Sequence, residues 1–400
     1  MEKRKEFLNL NFYLLGVFCC LYGLRIKNIT LSIFPIIIIS MFSSYEIIKK
    51  RKIYFNFLSL YYFLFIPSIF VGIFYSKKIV LLNILSFSFF RIILFVSILS
   101  FYFIKFSNIN FFIKGLKLGI LINYFWGTME YLLWKIYFFP LNDFIFYKKL
   151  NIDVGHTWLN LRNGNIRICG ISWDPLTIGM LSVLGFILYK NKILKIYSIF
   201  ILFLSGSRAG MLAIVLTYIC YYFFIFFKKY KKIGLILTIF MICVSIFSVS
   251  YFKNINFTEN GNNRRKEYYF SAIASTYTNN NIGLFLFGGS PFYSGNILAE
   301  NKEIGKKSLL EGDMWKKNWK IESDWASILV GRGWCGIISY FILLFICAYF
   351  IKDKLLKKIL LMFFFLGIGN NYESSLLLNT FLICIYQNYN LINKKSYYIK

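Results

Sequence analysis

KILKIYSIFILFLSGSRAGMLAIVLTYICYYFFIFFKK, residues 192–229, sets two apolar runs back to back around Ser205-Gly206-Ser207-Arg208-Ala209-Gly210. Each run approaches the roughly 20 residues needed to cross a hydrocarbon core. Lysines close the far ends at Lys192, Lys195, Lys228 and Lys229, while Arg208 stands in the turn. Small residues let the backbone reverse and let helices approach closely. The stretch therefore reads as a membrane helical hairpin whose basic ends face the cytoplasm.

The rest of the chain repeats this pattern. Of its 400 residues, 58% are hydrophobic and 21% aromatic, too apolar for an ordinary soluble fold of that length. Spans are expected at about 7–24, 29–48, 53–75, 79–104, 112–134, 171–189, 193–207, 209–227, 233–252, 324–351, 359–371 and 374–391. The expected fold is all-α: a polytopic membrane bundle of about 12 transmembrane helices, or 11 if the last pair is a single tilted helix. The chain reads as a single integral membrane domain, residues 1–400, without a linker. The first apolar run lacks a small-residue cleavage site, so no cleaved signal peptide is expected.

A formal charge of +29 would suggest a nucleic-acid partner in a soluble protein. Here the cations lie between spans instead. Lys49, Lys50, Arg51 and Lys52, then Lys228, Lys229, Lys231 and Lys232, fall on one side, whereas the opposite short gaps hold only Arg25, Lys27, Lys77, Lys78 and Arg208. This asymmetry predicts cytoplasmic termini and no nucleic-acid partner. It leaves two long outer loops, about 135–170 and one large extracytoplasmic loop at about 253–323. Cysteines are scattered, mostly inside spans, and His156 is the chain's one histidine, so neither a metal nor a cofactor is expected.

Ionisable residues at membrane depth are costly, which makes each a functional candidate. Arg208 is the most specific, since its planar fork suits phosphate oxygens. Arg264 and Arg265, followed by Tyr268 and Tyr269, open the large loop and read either as a solvated turn or as a site. Glu322 and Asp324, in Ile321-Glu322-Ser323-Asp324-Trp325, read either as helix caps or as a base for a sugar hydroxyl. Asp174, before Pro175, is likewise a cap or a site residue. Glu373 stands at a break in the last apolar stretch, where irregular backbone is tolerated if it lines a cavity. Arg91 and Glu130 are expected to pair inside the bundle, and His156 reads as an exposed bystander.

Together, Trp173-Asp174-Pro175, the Ser-Gly-Ser-Arg-Ala-Gly hairpin, the outer loop running from its arginines to Phe287-Gly288-Gly289, Glu322-Ser323-Asp324 before Gly331 and Gly336, and the late Glu373 carry a resemblance. Over roughly residues 165–385 the chain resembles the bacterial O-antigen polymerase (Wzy-type) and O-antigen ligase superfamily; residues 1–165 match only in hydropathy. The resemblance implies an inverting, metal-independent glycosyltransferase in the bacterial inner membrane. Its expected partners are polyprenyl-pyrophosphate-linked oligosaccharides and membrane lipid, with a chain-length regulator protein as a further candidate. It implies catalytic roles for Arg208, Arg265, Glu322 and Asp324, and substrate binding by Arg264, Asp174, Tyr268, Trp325 and Glu373. Ligases of the superfamily carry a His-Asn pair where this chain has Glu322-Ser323-Asp324, which favours a polymerase over a ligase. The rival from another class is a polysaccharide flippase, which would not need so long an outer loop.

Overall fold

A computed structural model describes residues 2–21, 23–26, 29–50, 65–75, 109–152, 161–162, 165–172, 174–229, 282–289, 324–351, 353–369, 378 and 381–382. These residues are mostly helical, with two short hairpins. The helices are α1 (Glu2–Cys20), α2 (Ile33–Lys50), α3 (Phe65–Tyr75), α4 (Ile109–Tyr137), α5 (Pro175–Leu188), α6 (Lys192–Ser205), α7 (Arg208–Lys229), α8 (Ile282–Phe287), α9 (Asp324–Phe350) and α10 (Lys354–Gly369). The antiparallel pairs are β1 (Arg25–Ile26) with β2 (Ile29–Thr30), and β3 (Leu161–Arg162) with β4 (Asn165–Ile166).

α4 is the central pillar. Its 29 residues extend for about 43 Å at the helical rise, and α1 packs along it. Small residues set that contact: a Cβ at Gly16 would lie 2.7 Å from the Leu116 nitrogen, and one at Gly119 would lie 2.8 Å from the Cys20 Cβ. α5, α6 and α7 form a second layer, and α10 packs against α7, α9 and α5. A continuous apolar core runs through both layers, including Leu15, Phe112, Tyr124, Leu181, Leu202, Tyr340 and Phe363.

Several polar residues are buried, and many apolar ones are exposed. Asn123, Glu130, Ser182, Ser198 and Arg332 are buried. Exposed apolar stripes at helical spacing run down α6 (Ile193, Ile196, Phe200, Phe203) and α7 (Leu212, Val215, Ile219). Among the described residues, Trp325–Leu343 is long and apolar enough to cross a membrane; Ile33–Phe42, Pro175–Leu188 and Arg208–Phe223 are shorter apolar helical stretches.

The expected spans at 79–104, 233–252 and most of 374–391 lie outside the described residues, as does all of 253–323 except 282–289. Within the segment expected as an outer loop, 135–170, α4 continues to Tyr137, a π-helical turn covers Asp143–Lys149 and β3–β4 follows. The expected span at 171–189 starts later, with a 3-10 turn at Gly170–Ser172 before α5.

Candidate functional site

The α6–α7 turn is as tight as its residues allow. Gly206 ends α6 in the left-handed region (φ 61°), where a side chain would be strained, and its N–H donates to the Phe203 carbonyl at 2.9 Å. Ser207 then caps α7: its Oγ accepts from the Gly210 N–H at 3.2 Å. Ser205 Oγ donates to the Leu202 carbonyl at 2.7 Å and accepts from the Ser207 N–H at 3.3 Å. Both serines are buried, and Arg208, the first residue of α7, is exposed. Gly179 of α5 lies against this turn; a Cβ there would sit 2.7 Å from Ser207 Oγ.

A strap, residues 165–172, crosses the turn from the other side. The Ile168 N–H donates to the Leu204 carbonyl at 3.3 Å, and Arg167 Nε donates to the Ser205 carbonyl at 3.0 Å. The Arg167 side chain lies over Gly206, so two arginines meet at this turn, Arg208 from the hairpin and Arg167 from the strap.

α4 fixes the strap in turn. Glu130 Oε2 accepts from the Cys169 and Gly170 N–H groups, each at 3.0 Å. Asn123 Oδ1 accepts from the Ile171 N–H at 2.9 Å, while its Nδ2 donates to the Cys20 carbonyl at 2.7 Å. Asn142 Nδ2 donates to the Gly170 carbonyl at 3.0 Å and its Oδ1 accepts from Trp126 Nε1 at 2.6 Å. Glu130 is thus engaged by backbone amides; its expected partner Arg91 lies outside the described residues. Buried amides left without acceptors would cost about 1–3 kcal/mol each, which explains why these polar side chains are inside.

Asp174 follows the strap and caps α5, its Oδ1 accepting from the Leu176 N–H at 3.1 Å and its Oδ2 from Thr177 Oγ1 at 3.3 Å. The capping alternative read from Asp174-Pro175 is therefore realised.

A second glycine-framed contact lies between α8 and α9. The Gly289 N–H donates to the Val330 carbonyl at 3.1 Å. A Cβ at Gly288 would lie 2.6 Å from the Gly331 carbonyl oxygen, and one at Gly333 the same distance from that of Leu286. Gly333 also breaks α9, at φ 60° and ψ −163°, a conformation open essentially to glycine alone. The structure thus brings Phe287-Gly288-Gly289 against Gly331-Arg332-Gly333. Between those glycines, Arg332 is 1% exposed. Trp325 is half-buried and packs against Phe341 and Phe364, with ring centroids 5.1 and 5.2 Å away.

Asp324 opens α9, as its position in the sequence predicts. Arg264, Arg265, Tyr268, Glu322 and Glu373 lie outside the described residues. Sequence reasoning missed Arg167 and Arg332. The signal for Arg332 was present, because it is a cation within an expected span; Arg167 shows its relevance only through its contact with the distant turn. Among the described residues, no group of three or more His, Cys, Asp and Glu is placed to hold a metal ion.

Chemically, an exposed guanidinium at the first turn of a long helix favours an anion, because the helix dipole adds to its charge. The buried serines and the strap hold that first turn in place. No family model matches the sequence, and no curated protein matches it significantly.

Proposed function

We propose that this protein is a polysaccharide polymerase of the bacterial cytoplasmic membrane, joining polyprenyl-pyrophosphate-linked repeat units at the outer face. The observation that carries the reading is Arg208, exposed on a hairpin whose serines hold the turn through hydrogen bonds. Support for the membrane setting comes from the outward apolar stripes of α6 and α7 and the inward polar groups of α4. The full bundle of about 12 crossings belongs to this same proposal.

In the proposed reaction the acceptor's sugar hydroxyl attacks the anomeric carbon of the donor glycan. A new carbon–oxygen bond forms as the bond to pyrophosphate breaks, with inversion. The hydroxyl proton passes to Glu322 or Asp324, and negative charge grows on the departing pyrophosphate. Arg208, with Arg265 or Arg264, binds that charge, and such stabilisation at the site of developing charge is a large catalytic term. Arg167, bonded to the Ser205 carbonyl, steadies the turn that presents Arg208.

A deletion strain tests the reading through what accumulates. The expected result is single repeat units at the outer surface, seen on a gel of surface glycan and by mass analysis of carrier-linked sugars. Long polymer still on the carrier would overturn it in favour of a ligase, and single units held on the inner leaflet would overturn it in favour of a flippase.

A further inference from the structure

About three helical turns from the α6–α7 reversal, near the start of α6 and midway along α7, lysines from separate helices gather around tyrosines. Lys358 of α10 stands 4.6 Å from the ring centroids of both Tyr218 and Tyr221. Lys195 of α6 lies 5.5 Å from the centroid of Phe186, whose ring contacts Tyr218 at 5.8 Å. Burial, and then the charges of Lys195 and Lys354, push the Lys358 ammonium below its ordinary pKa. Lys354 lies one helical turn before Lys358, and Lys195 reaches the same tyrosines through Phe186, so the cations share one cluster.

Nothing acidic in the first turns of α6 and α10 offsets them. Asp353, beside Lys354, has its carboxylate engaged by the Leu355 and Leu356 N–H groups at 2.7 and 3.1 Å. Bringing like charges together is unfavourable unless an anion joins them.

Helix length indicates where that anion comes from. α5 and α6 have 14 residues each, about 21 Å, against a hydrocarbon core of about 30 Å. α7, at 22 residues, is long enough to span, so it is at the α5–α6 end that the lipid layer is drawn in, or that lysines extend toward headgroups. Lys195 is ten residues before Ser205, about 15 Å along the helix, so the cluster is distinct from the hairpin.

We propose that Lys195, Lys354 and Lys358, with Tyr218 and Tyr221, form a binding site for the phosphate of an anionic phospholipid. The site rests on the membrane reading above, but not on the polymerase reaction. Lys358 is pre-positioned between aromatic faces, and the exposed Tyr222 continues the cluster toward the outside. Tyrosine suits a membrane interface, where its ring is apolar and its hydroxyl wet.

The test uses the full chain purified in neutral detergent, with phosphatidylglycerol or phosphatidylcholine added at equal concentration and retained lipid counted by native mass spectrometry. Phosphatidylglycerol should be retained about tenfold better, as expected for lysines at an anionic surface. K195Q/K358Q should lose that preference, K195R/K358R should keep it, and K148Q/K149Q, which removes as much charge elsewhere, should leave it intact. Equal retention of the two lipids, or an undiminished preference in K195Q/K358Q, overturns the inference. So does displacement of the lipid by millimolar inorganic phosphate, which would make this a soluble-anion site. Recovery of the chain in a detergent-free soluble fraction would instead overturn the membrane reading and the lipid site with it.

Discussion

At the α6–α7 turn, glycine and serine make room for a chain reversal and leave Arg208 exposed. At the α8–α9 contact, glycines make room for two backbones to touch, and Arg332 is enclosed. Both arginines are glycine-framed in sequence, so the local pattern does not separate them. The backbone does: Gly206 terminates a helix, whereas Gly333 sits inside one and faces the Leu286 carbonyl. The first arrangement offers a cation to a ligand, and the second spends its small residues on packing.

If that contrast holds, substitutions should divide into those that unfold and those that only inactivate. Gly333→Ala should have the largest effect on stability. Strain at its φ/ψ costs about 1–3 kcal/mol and crowding against Leu286 a similar amount. Thermal unfolding of the detergent-purified protein measures it, and an unchanged midpoint would show that the α8–α9 contact is looser than described.

Glu130→Gln comes next. One carboxylate oxygen accepts two strap amides, and the amide replacement brings a donor to a site lined by donors. A loss of about 2 kcal/mol is expected, within the range for an unsatisfied buried group. Equal stability of Glu130→Gln and the parent would remove the strap's dependence on α4.

Asp174 gives a smaller effect and a cleaner choice between its two readings. Asp174→Ala should cost about 1 kcal/mol, and Asp174→Asn almost nothing, because asparagine caps equally well. Should Asp174→Asn be as stable as the parent yet make no polymer, the carboxylate's charge acts on substrate and capping is not its only role.

Among the described residues, the helical layout is largely legible in the sequence, because apolar runs and small-residue breaks are local. The runs at 193–207 and 209–227 correspond to α6 and α7, displaced by only a residue or two at each end. Helix α2 continues to Lys50, past the expected end at 48, since lysine is a good helix former and an apolar run is not the same thing as a helix. The polar ties are another matter. Asn123 reaches Ile171 and Cys20, and Glu130 reaches Cys169, all far apart along the chain. No local period encodes such pairs, so residues 135–170 read as an outer loop, and the ties of Glu130 to Cys169 and Gly170 go unseen. The cap at Asp174 was legible because Asp-Pro is itself a local signature.

Arg208→Ala tests the central claim most directly. Arg208 is exposed, and its loss should change unfolding stability by less than about 0.5 kcal/mol. Polymer formation should nevertheless be abolished in cells that still insert and express the protein, with partial recovery in Arg208→Lys, whose ammonium lacks the fork. Polymer of wild-type length from Arg208→Ala would contradict the account.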